Sequence, residues 1–456
     1  MTETAAGGGR TRYALVPLVA VALAYLNSFQ GVFQLDDYNV IVFNPAVHSW
    51  SAFGQDWFHG IRPLLKLTYT LNWTSPAGTF GFHAFNLAVH LTNTLLVFNL
   101  TAYFFREGRE ALPARTLYMT ACLTALIFGL HPIQTEAVTY ISGRSASLMS
   151  MFYLGSLAAY VKGTRERRPV CLYLLSPLLF LLAVATKETG ITLPFAIVLW
   201  EAAAGRRVGF KRALGNQSVH WMLLGVLAAA ILVHPRYRLF LLYSFNLRGF
   251  QENLLGQING AAHLLSHVVM PGRLNVDPGT LPPVGWFSVE ALALVCIAVL
   301  AAVGIGKKRS WLFFGTAWFL LHMMVINVLV PRIDSISDRH FYQASWGIFL
   351  VAGAAIGWLF LRFPRGSRWF ITVVATVSIL LGGYAVARNC MYKSEIVLWE
   401  DTARKSPQNP RAYNNLGYAY ALEGRKADAR DAYRHALEID PAFEHARNNL
   451  KMLDKQ

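Results

Sequence analysis

Two adjacent carboxylates, Asp36 and Asp37, follow the first apolar stretch of this sequence. Like charges side by side, together with desolvation near a membrane, raise the pKa of a carboxyl group toward working pH, as a general base requires. Solvated loop acids or an Asx turn would explain the same pair without chemistry. A third acid, Glu136, lies in a polar stretch between apolar ones and could orient an acceptor hydroxyl. We predict that these three are catalytic residues and that one aspartate is the base, with Asp37 favoured.

Three cations in polar stretches between apolar ones are candidates for binding a donor phosphate: Arg339, Lys187 and Arg144. Arg339 comes first because a guanidinium binds two phosphate oxygens at once. Asp338 could instead neutralise Arg339 structurally. In the same way, Lys187 and Glu188 could form only an ion pair at the membrane interface.

A row of polar side chains follows helical spacing on an otherwise apolar stretch. His83, Asn86 and His90 fall, with Asn93, within about 80° of one helix face. They either line a wet cavity or hydrogen-bond to other helices, and the second interpretation is slightly favoured. His83 and His90 could share a metal, but no carboxylate joins them in sequence, so no metal site is predicted and a divalent metal stays open. The residues expected to line the cavity are His83, Asn86, His90, His131 and Glu188.

The elements that must position these residues are membrane-spanning helices. The 456 residues are 54% hydrophobic and 14% charged, whereas a soluble domain carries about 25% charged residues. The apolar stretches are long enough to cross a bilayer as helices. About eleven spans are predicted, near 13–30, 82–105, 116–131, 147–161, 170–186, 189–203, 219–234, 286–305, 311–330, 341–361 and 369–387.

Basic residues indicate the orientation of these spans. Five clusters fall on one side: Arg106, Arg109 and Arg115; Lys162, Arg165, Arg167 and Arg168; Arg206, Arg207, Lys211 and Arg212; Lys307, Lys308 and Arg309; Arg362, Arg365 and Arg368. The positive-inside rule then puts the N-terminus, with an uncleaved first span, in the cytoplasm. This orientation requires that 253–270 does not cross, so we predict an interfacial or re-entrant segment there. The net charge of +16 fits anionic headgroups better than nucleic acid.

The last stretch of the chain changes character. Residues 388–456 are polar, with helical periodicity, and are predicted to form a periplasmic domain separate from the membrane domain, 1–387. The spacing of one tetratricopeptide repeat is met by Tyr413, Leu416, Gly417, Tyr420, Ala429, Tyr433, Ala436 and Pro441. Half-repeats precede and follow it. Because repeats gain stability from neighbours, so short an array is expected to lean on the membrane domain or on a partner.

Several function classes lack their motifs. The sequence has no phosphate-cradling glycine loop, dinucleotide fingerprint or nucleophile elbow, which argues against a nucleotide-driven transporter. Many flippases and transporters have internal repeats among their spans. This sequence shows none, which argues against those classes. Three of the four cysteines lie in apolar stretches, and no disulfide framework or zinc spacing is present.

Short motifs, in order along nearly the whole chain, resemble one family. They are Leu35-Asp36-Asp37, Asn44-Pro45, Arg62-Pro63-Leu64, Leu71-Asn72, Phe82-His83-Ala84-Phe85-Asn86, His131-Pro132, Thr135-Glu136-Ala137-Val138, Gly143-Arg144, Lys187-Glu188-Thr189-Gly190-Ile191, Leu274-Asn275-Val276-Asp277 and Asp338-Arg339. The ordered set resembles the transmembrane-and-tetratricopeptide-repeat O-mannosyltransferases, the TMTC family, and their bacterial relatives. The family usually has more repeats, and it tends to have Glu where this chain has Asp338.

The resemblance implies an all-α, GT-C-type glycosyltransferase. It implies a polyprenyl-phosphate sugar as donor, an acid of the first outer loop as base, and transfer of mannose or another hexose to a Ser/Thr hydroxyl of an extracytoplasmic protein. One displacement would invert the anomeric centre. The expected setting is a multi-pass protein of the inner membrane that contacts lipid and no nucleic acid. Two alternatives remain: glycosylation of a lipid or surface glycan, and a non-catalytic membrane scaffold that recruits partners through its repeat tail.

Overall fold

The chain is built from α-helices. The computed structural model describes residues 3–107, 110–204, 210–279, 281–332, 336–362 and 366–455, and these contain no strand. Four of the basic residues that indicate orientation lie outside these ranges: Arg109, Arg206, Arg207 and Arg365.

The helices before the tail form one bundle. They are α1 Glu3–Ala24, α2 Trp50–Asp56, α3 Pro63–Trp73, α4 Gly78–Glu107, α5 Ala114–Leu130, α6 Thr135–Val138, α7 Arg144–Arg165, α8 Ser176–Thr186, α9 Leu193–Ala203, α10 Phe210–Val233, α11 Pro235–Phe245, α12 Phe250–Val269, α13 Val289–Gly306, α14 Ser310–Leu320, α15 Ile326–Leu329, α16 Asp338–Arg362 and α17 Gly366–Met391. π-helical turns at Cys171–Leu175 and Leu321–Val325 lead into α8 and α15.

Fewer helices qualify as spans than the eleven predicted. Among the described residues, seven are long and apolar enough to cross a membrane: Arg10–Gln30, Gly78–Arg106, Lys211–Val233, Val289–Gly306, Ser310–Leu329, Asp338–Arg362 and Arg368–Met391. An eighth is possible if Ala114–Leu130 and Pro132–Val138, which meet at 53°, count as one. The predicted stretches 147–161, 170–186 and 189–203 are helical but do not qualify. The first is rich in serine and the other two contain 11-residue helices, α8 and α9, about 17 Å each. The count of eleven is thus not confirmed, and α12 over 253–270 is not among the seven.

Small residues allow the central helices to pack closely. Where α14 crosses α16, a Cβ added to Gly347 would lie 2.3 Å from the carbonyl oxygen of Gly315. Any side chain there would therefore push the two backbones apart, which is the reason that membrane helices favour glycine at such crossings. The contact holds the beginning of α16 against the centre of the bundle.

The tail is a helical hairpin with a flanking helix on each side. It comprises α18 Glu395–Lys405, α19 Pro410–Leu422, α20 Lys426–Ile439 and α21 Glu444–Leu453. A Cβ on Gly417 of α19 would lie 2.7 Å from the Tyr433 ring of α20, so the predicted small residue is required by this approach. Helix α17 continues to Met391, across the predicted boundary at 387/388.

The tail rests on the loop that follows α12. Arg411 forms an ion pair with Asp277 at 2.6 Å, and Lys405 Nζ donates to the carbonyl oxygen of Leu274 at 2.7 Å. Asn275 Nδ2 donates to Ser406 Oγ at 2.8 Å. The short repeat array therefore packs against the membrane domain, as expected.

Candidate active site

A cavity of about 660 Å³ lies where α3, α10, α11 and α16 meet the turn between α8 and α9. Its charged lining consists of Asp36, Arg62, Lys66, Lys187, Glu188, Arg332 and Arg339. Its apolar lining includes Ile231, Leu232, Phe240, Leu241, Ile326 and Val330. A ligand with an anionic head and a hydrocarbon chain would fit such a lining, because each part would meet its own kind of surface.

Asp36 is the carboxylate that faces the cavity. Its side chain is 55% exposed, and its Oδ2 accepts from Nη2 of Arg339 at 3.2 Å and from Nη1 at 3.3 Å. The backbone N–H of Asp36 donates to the Tyr140 hydroxyl at 2.8 Å, and the Arg339 guanidinium lies over the Tyr140 ring. The carboxylate is thus held in place beside an open volume, as a general base must be.

Glu136 lies behind Arg339. It is buried, accepts from Ser337 Oγ and from the backbone N–H of Arg339, and its Oε1 is 3.7 Å from Arg339 Nε. Asp338 turns away and pairs with His267 at 2.8 Å. Asp36 and Glu136, and not Asp338, therefore neutralise Arg339.

An ion pair closes one side of the cavity. Arg62 Nε and Nη2 donate to the two carboxylate oxygens of Glu188, both at 2.9 Å. Burial alone would raise the pKa of Glu188, but Arg62 holds it at about 2. Arg62 has a left-handed φ of 55° directly before Pro63, where an extended backbone is usual. Such strain persists only where neighbouring contacts impose it.

Two other cations line the cavity, and neither forms an ion pair with a described carboxylate. Lys187 is buried, and no described residue hydrogen-bonds or forms an ion pair with its ammonium group. Burial, with Arg332 and Arg62 nearby, holds the pKa of Lys187 well below its ordinary value. Arg332 donates from Nη1 to His340 Nε2 at 3.0 Å and pairs with no described carboxylate. An anion between Lys187 and Arg332 would relieve their mutual repulsion.

Comparison with known proteins shows which proteins the chain is similar to. The model of the tetratricopeptide repeat family matches residues 410–443. A Caenorhabditis elegans protein named Protein O-mannosyl-transferase F38B6.6 is 26% identical over 95% of this chain and 63% of its own length. Human Protein O-mannosyl-transferase TMTC3 is 30% identical over 92% of this chain and 50% of its own length, and mouse TMTC3 is 23% identical over 92% and 50%.

The homologues of this chain are TMTC-family protein O-mannosyltransferases. The chain spans between half and two thirds of the length of these three. No solved structure matches it.

Asp37, the aspartate favoured as the base, does not reach the cavity. Asp37 is fully buried, and its carboxylate oxygens accept from the backbone N–H groups of Ser142 at 2.7 Å and Gln34 at 3.0 Å. Burial raises the pKa of Asp37 to about 7 although both hydrogen bonds lower it. The preference for Asp37 is therefore corrected: Asp37 ties the loop that follows α1 to the segment just before α7, and Asp36 is the accessible acid. Glu136 is likewise corrected from an acceptor contact to a partner of Arg339.

Arg144 does not bind phosphate in this arrangement. It is fully buried, and its guanidinium donates to Asn86 Oδ1, to Thr68 and to the carbonyl oxygen of Phe82 at 2.9 Å. All three nitrogens have protein partners away from the cavity. Arg144 therefore ties α7 to α3 and α4.

The polar row on α4 also serves packing and not the cavity. His83 contacts the carbonyl oxygen of Gly31, and Asn86 donates to that of Val138. His90 bridges Gly129 and Tyr342. His131 contacts the carbonyl oxygen of Val268. These four were expected to line the cavity and do not, whereas the alternative of interhelical hydrogen bonding is what the structure shows.

Two features of the site were not assigned from sequence: Arg332, and the pairing of Arg62 with Glu188. Arg332 carries the same signal as Arg339, an arginine in a short polar stretch between two apolar ones. Arg62 lies in a quoted motif, but its partner is 126 residues away, and no local pattern indicates such a pair. Over the described ranges, no group of three or more His, Cys, Asp or Glu side chains could hold a metal ion.

Proposed function

We propose that this chain is an inverting membrane glycosyltransferase that moves a hexose from a polyprenyl-phosphate donor to a Ser/Thr hydroxyl of an extracytoplasmic protein. The names of its relatives suggest mannose as the hexose. The observation that carries the proposal is the composition of one cavity, in which a half-exposed carboxylate, two cations that pair with no described carboxylate and an apolar wall lie together.

The donor is proposed to bind by its two unlike parts. Its phosphate lies between Lys187 and Arg332, where the anion neutralises both cations. Arg339 stays a candidate third contact. The polyprenyl chain of the donor lies along the apolar residues of α10 and α11. The other faces of these two helices are exposed for contact with lipid. Neither part of the donor then requires burial of an unpaired charge.

Transfer is proposed to occur in one displacement. The acceptor hydroxyl oxygen attacks the anomeric carbon, and its proton passes to Asp36. The bond from the anomeric carbon to the phosphate oxygen breaks, so that polyprenyl phosphate leaves with the bonding electrons. Lys187 and Arg332 stabilise the growing charge on that phosphate. Because the hydroxyl attacks opposite the leaving group, the anomeric configuration inverts.

The proposed setting is the inner membrane, with the cavity and the tail on the periplasmic side. Helix α16 carries Arg339 at its beginning, beside the cavity, and Arg362 at its end. At about 1.5 Å per residue, its 25 residues are long enough to cross the membrane, which supports the cavity and the basic loops lying on opposite faces. The positive-inside rule makes the basic face cytoplasmic.

The test is to incubate proteoliposomes containing the purified chain with radiolabelled polyprenyl-phosphate mannose, with the glucose analogue, or with a nucleotide sugar. Consumption of a lipid-linked donor and not of the nucleotide sugar is expected. Acceptors in parallel reactions would be a Ser/Thr-rich protein, a glycan and a lipid. If the radiolabel appears only in the glycan or the lipid, that molecule and not a protein is the acceptor. If no lipid-linked donor is consumed, the scaffold alternative is favoured.

A further inference from the structure

Leu35, the residue before Asp36, has a strained backbone. Its φ is 52°, in the left-handed region, which is unfavourable for a residue other than glycine because Cβ approaches the following carbonyl oxygen. A leucine gains nothing there from its own hydrogen bonding, so surrounding contacts must impose the conformation. Because Asp36 follows directly, whatever holds Leu35 also sets the direction of the Asp36 carboxylate.

The contacts that hold the Leu35 side chain come largely from the tail. The side chain packs against a cluster of tail residues that includes Trp399 and Leu416. It also packs against a second cluster, formed by Tyr140, Tyr392 and Leu398. Leu398 belongs to α18 and is fully buried.

The backbone of the same loop is tied to the residue just before the tail. The backbone N–H of Val32 donates to the carbonyl oxygen of Tyr392 at 3.2 Å, and Gln34 Nε2 donates to the same oxygen at 2.8 Å. The membrane domain holds the other side, through the bonds of Asp37 and of the Asp36 N–H described above. The loop that carries Asp36 is therefore held between the two domains.

We infer that the repeat tail is part of the active site, because α18 fixes Leu35 in its left-handed conformation and so positions the Asp36 carboxylate. Leu35 and Leu398 act here as positioning residues. This inference rests on the proposed function, since it takes Asp36 as the base. It assigns the tail a role in turnover in addition to any role in binding partners.

The test compares two truncations of buried tail leucines in the full-length protein. Leu398→Ala truncates a leucine of the cluster against which Leu35 packs. Leu453→Ala truncates a leucine of the separate cluster formed by α20 and α21. We expect Leu398→Ala to lower kcat by about 100-fold, the effect of a misplaced reacting group, with the donor KM unchanged. Leu453→Ala should keep both constants, and Leu398→Met should restore kcat because it refills the space.

A readout independent of chemistry accompanies the kinetics. Deuterium uptake by peptides covering 32–37 should rise in Leu398→Ala and stay at the wild-type level in Leu453→Ala. Any of three results would overturn the inference. The first is unchanged deuterium uptake in Leu398→Ala, and the second is raised uptake in that variant with a wild-type kcat. The third is an equal loss of kcat in Leu398→Ala and Leu453→Ala. If the wild type transfers no sugar, the proposed function fails, and the uptake comparison alone decides whether the tail orders the loop.

Discussion

At the residue scale, two neighbouring aspartates have opposite surroundings. The Asp36 side chain is 55% exposed, whereas Asp37 is fully buried and accepts two backbone hydrogen bonds. One faces the cavity and the other the interior because both have helical backbone, on which successive side chains point about 100° apart. The two aspartates are adjacent, so the sequence does not distinguish them. Only the fold shows that Asp36 is placed for catalysis and that Asp37 has a structural role.

The assignment predicts that Asp37→Asn destabilises the protein. An amide offers one acceptor oxygen in place of two, which leaves a buried N–H unpaired at a cost of about 1–3 kcal/mol. The apparent melting temperature of purified Asp37→Asn should fall, while Asp36→Asn, the control at the cavity surface, should melt like the wild type. A wild-type melting temperature for Asp37→Asn would contradict the structural role.

The same residue gives a pH dependence with a definite sign. Burial raises the pKa of Asp37 from its ordinary 3.8 to about 7, so the folded state favours the neutral acid. The stability that it contributes is fully present below its unfolded pKa and is lost as pH rises to about 7. The difference in melting temperature between wild type and Asp37→Asn should therefore narrow between about pH 4 and pH 7. A widening difference would show that the buried carboxyl is preferentially ionised.

Lys187 and Arg332 are predicted to bind the donor phosphate. Replacement of either by Gln removes a charge-assisted hydrogen bond of about 1.5–3 kcal/mol, so the donor KM should rise about ten- to a hundredfold. Arg236→Gln is the matched control, because Arg236 is more than half exposed and does not line the cavity. An unchanged KM in both Lys187→Gln and Arg332→Gln would move the phosphate elsewhere.

At the element scale, the ion pair of Arg62 and Glu188 joins the beginning of α3 to the turn between α8 and α9. Both side chains are less than one third exposed, so solvent screens the pair only partly. A double-mutant cycle with Arg62→Gln and Glu188→Gln compares the free energies of unfolding of the wild type, the two single variants and the double variant. It should give a coupling free energy of about 1–3 kcal/mol. Additive effects of the two substitutions would mean that the elements are joined by packing alone.

The helices and the positions of their breaks were largely predictable, whereas the contacts across the breaks were not. Every predicted span coincides with helix because apolar composition and length are local properties. The predicted spans 116–131 and 170–186 end within one residue of α5 and α8, because Pro132 and the charged pair Lys187-Glu188 are local signals. The pairing of Glu188 with Arg62 and the bond from Arg339 to Glu136 join residues that are 126 and 203 positions apart, so no local pattern indicates them.

At the scale of the whole molecule, residues 388–456 are predicted to face away from the cytoplasm. In a variant whose native cysteines are replaced by serine, Glu423→Cys should react with a membrane-impermeant thiol reagent from the outer side, because Glu423 is exposed on the tail. Lys307→Cys, in a basic loop, is the control that should react only from the cytoplasmic side. Reaction of both residues from the same side would contradict the orientation.

The general plan of the molecule was accessible from sequence: helical spans, a repeat tail, and chemistry at one end of the bundle. Asp36, Arg339, Lys187 and Glu188 were singled out, and all four line the cavity. The α4 histidines and Arg144 were misplaced, because a polar residue in an apolar helix looks the same whether it faces a cavity or a neighbouring helix. Only three-dimensional contacts distinguish the two cases.

The central claim is that Asp36 is the base of a transfer from a lipid-linked sugar. The most direct measurement is turnover of radiolabelled polyprenyl-phosphate sugar by purified wild type, Asp36→Asn and Asp37→Asn in matched proteoliposomes. Asp36→Asn should lose about 10²–10⁴-fold in kcat, the contribution of a general base, while it keeps the wild-type donor KM and melting temperature. Asp37→Asn should lose stability first and turnover only in proportion to the unfolded fraction. Wild-type turnover by Asp36→Asn would contradict the account.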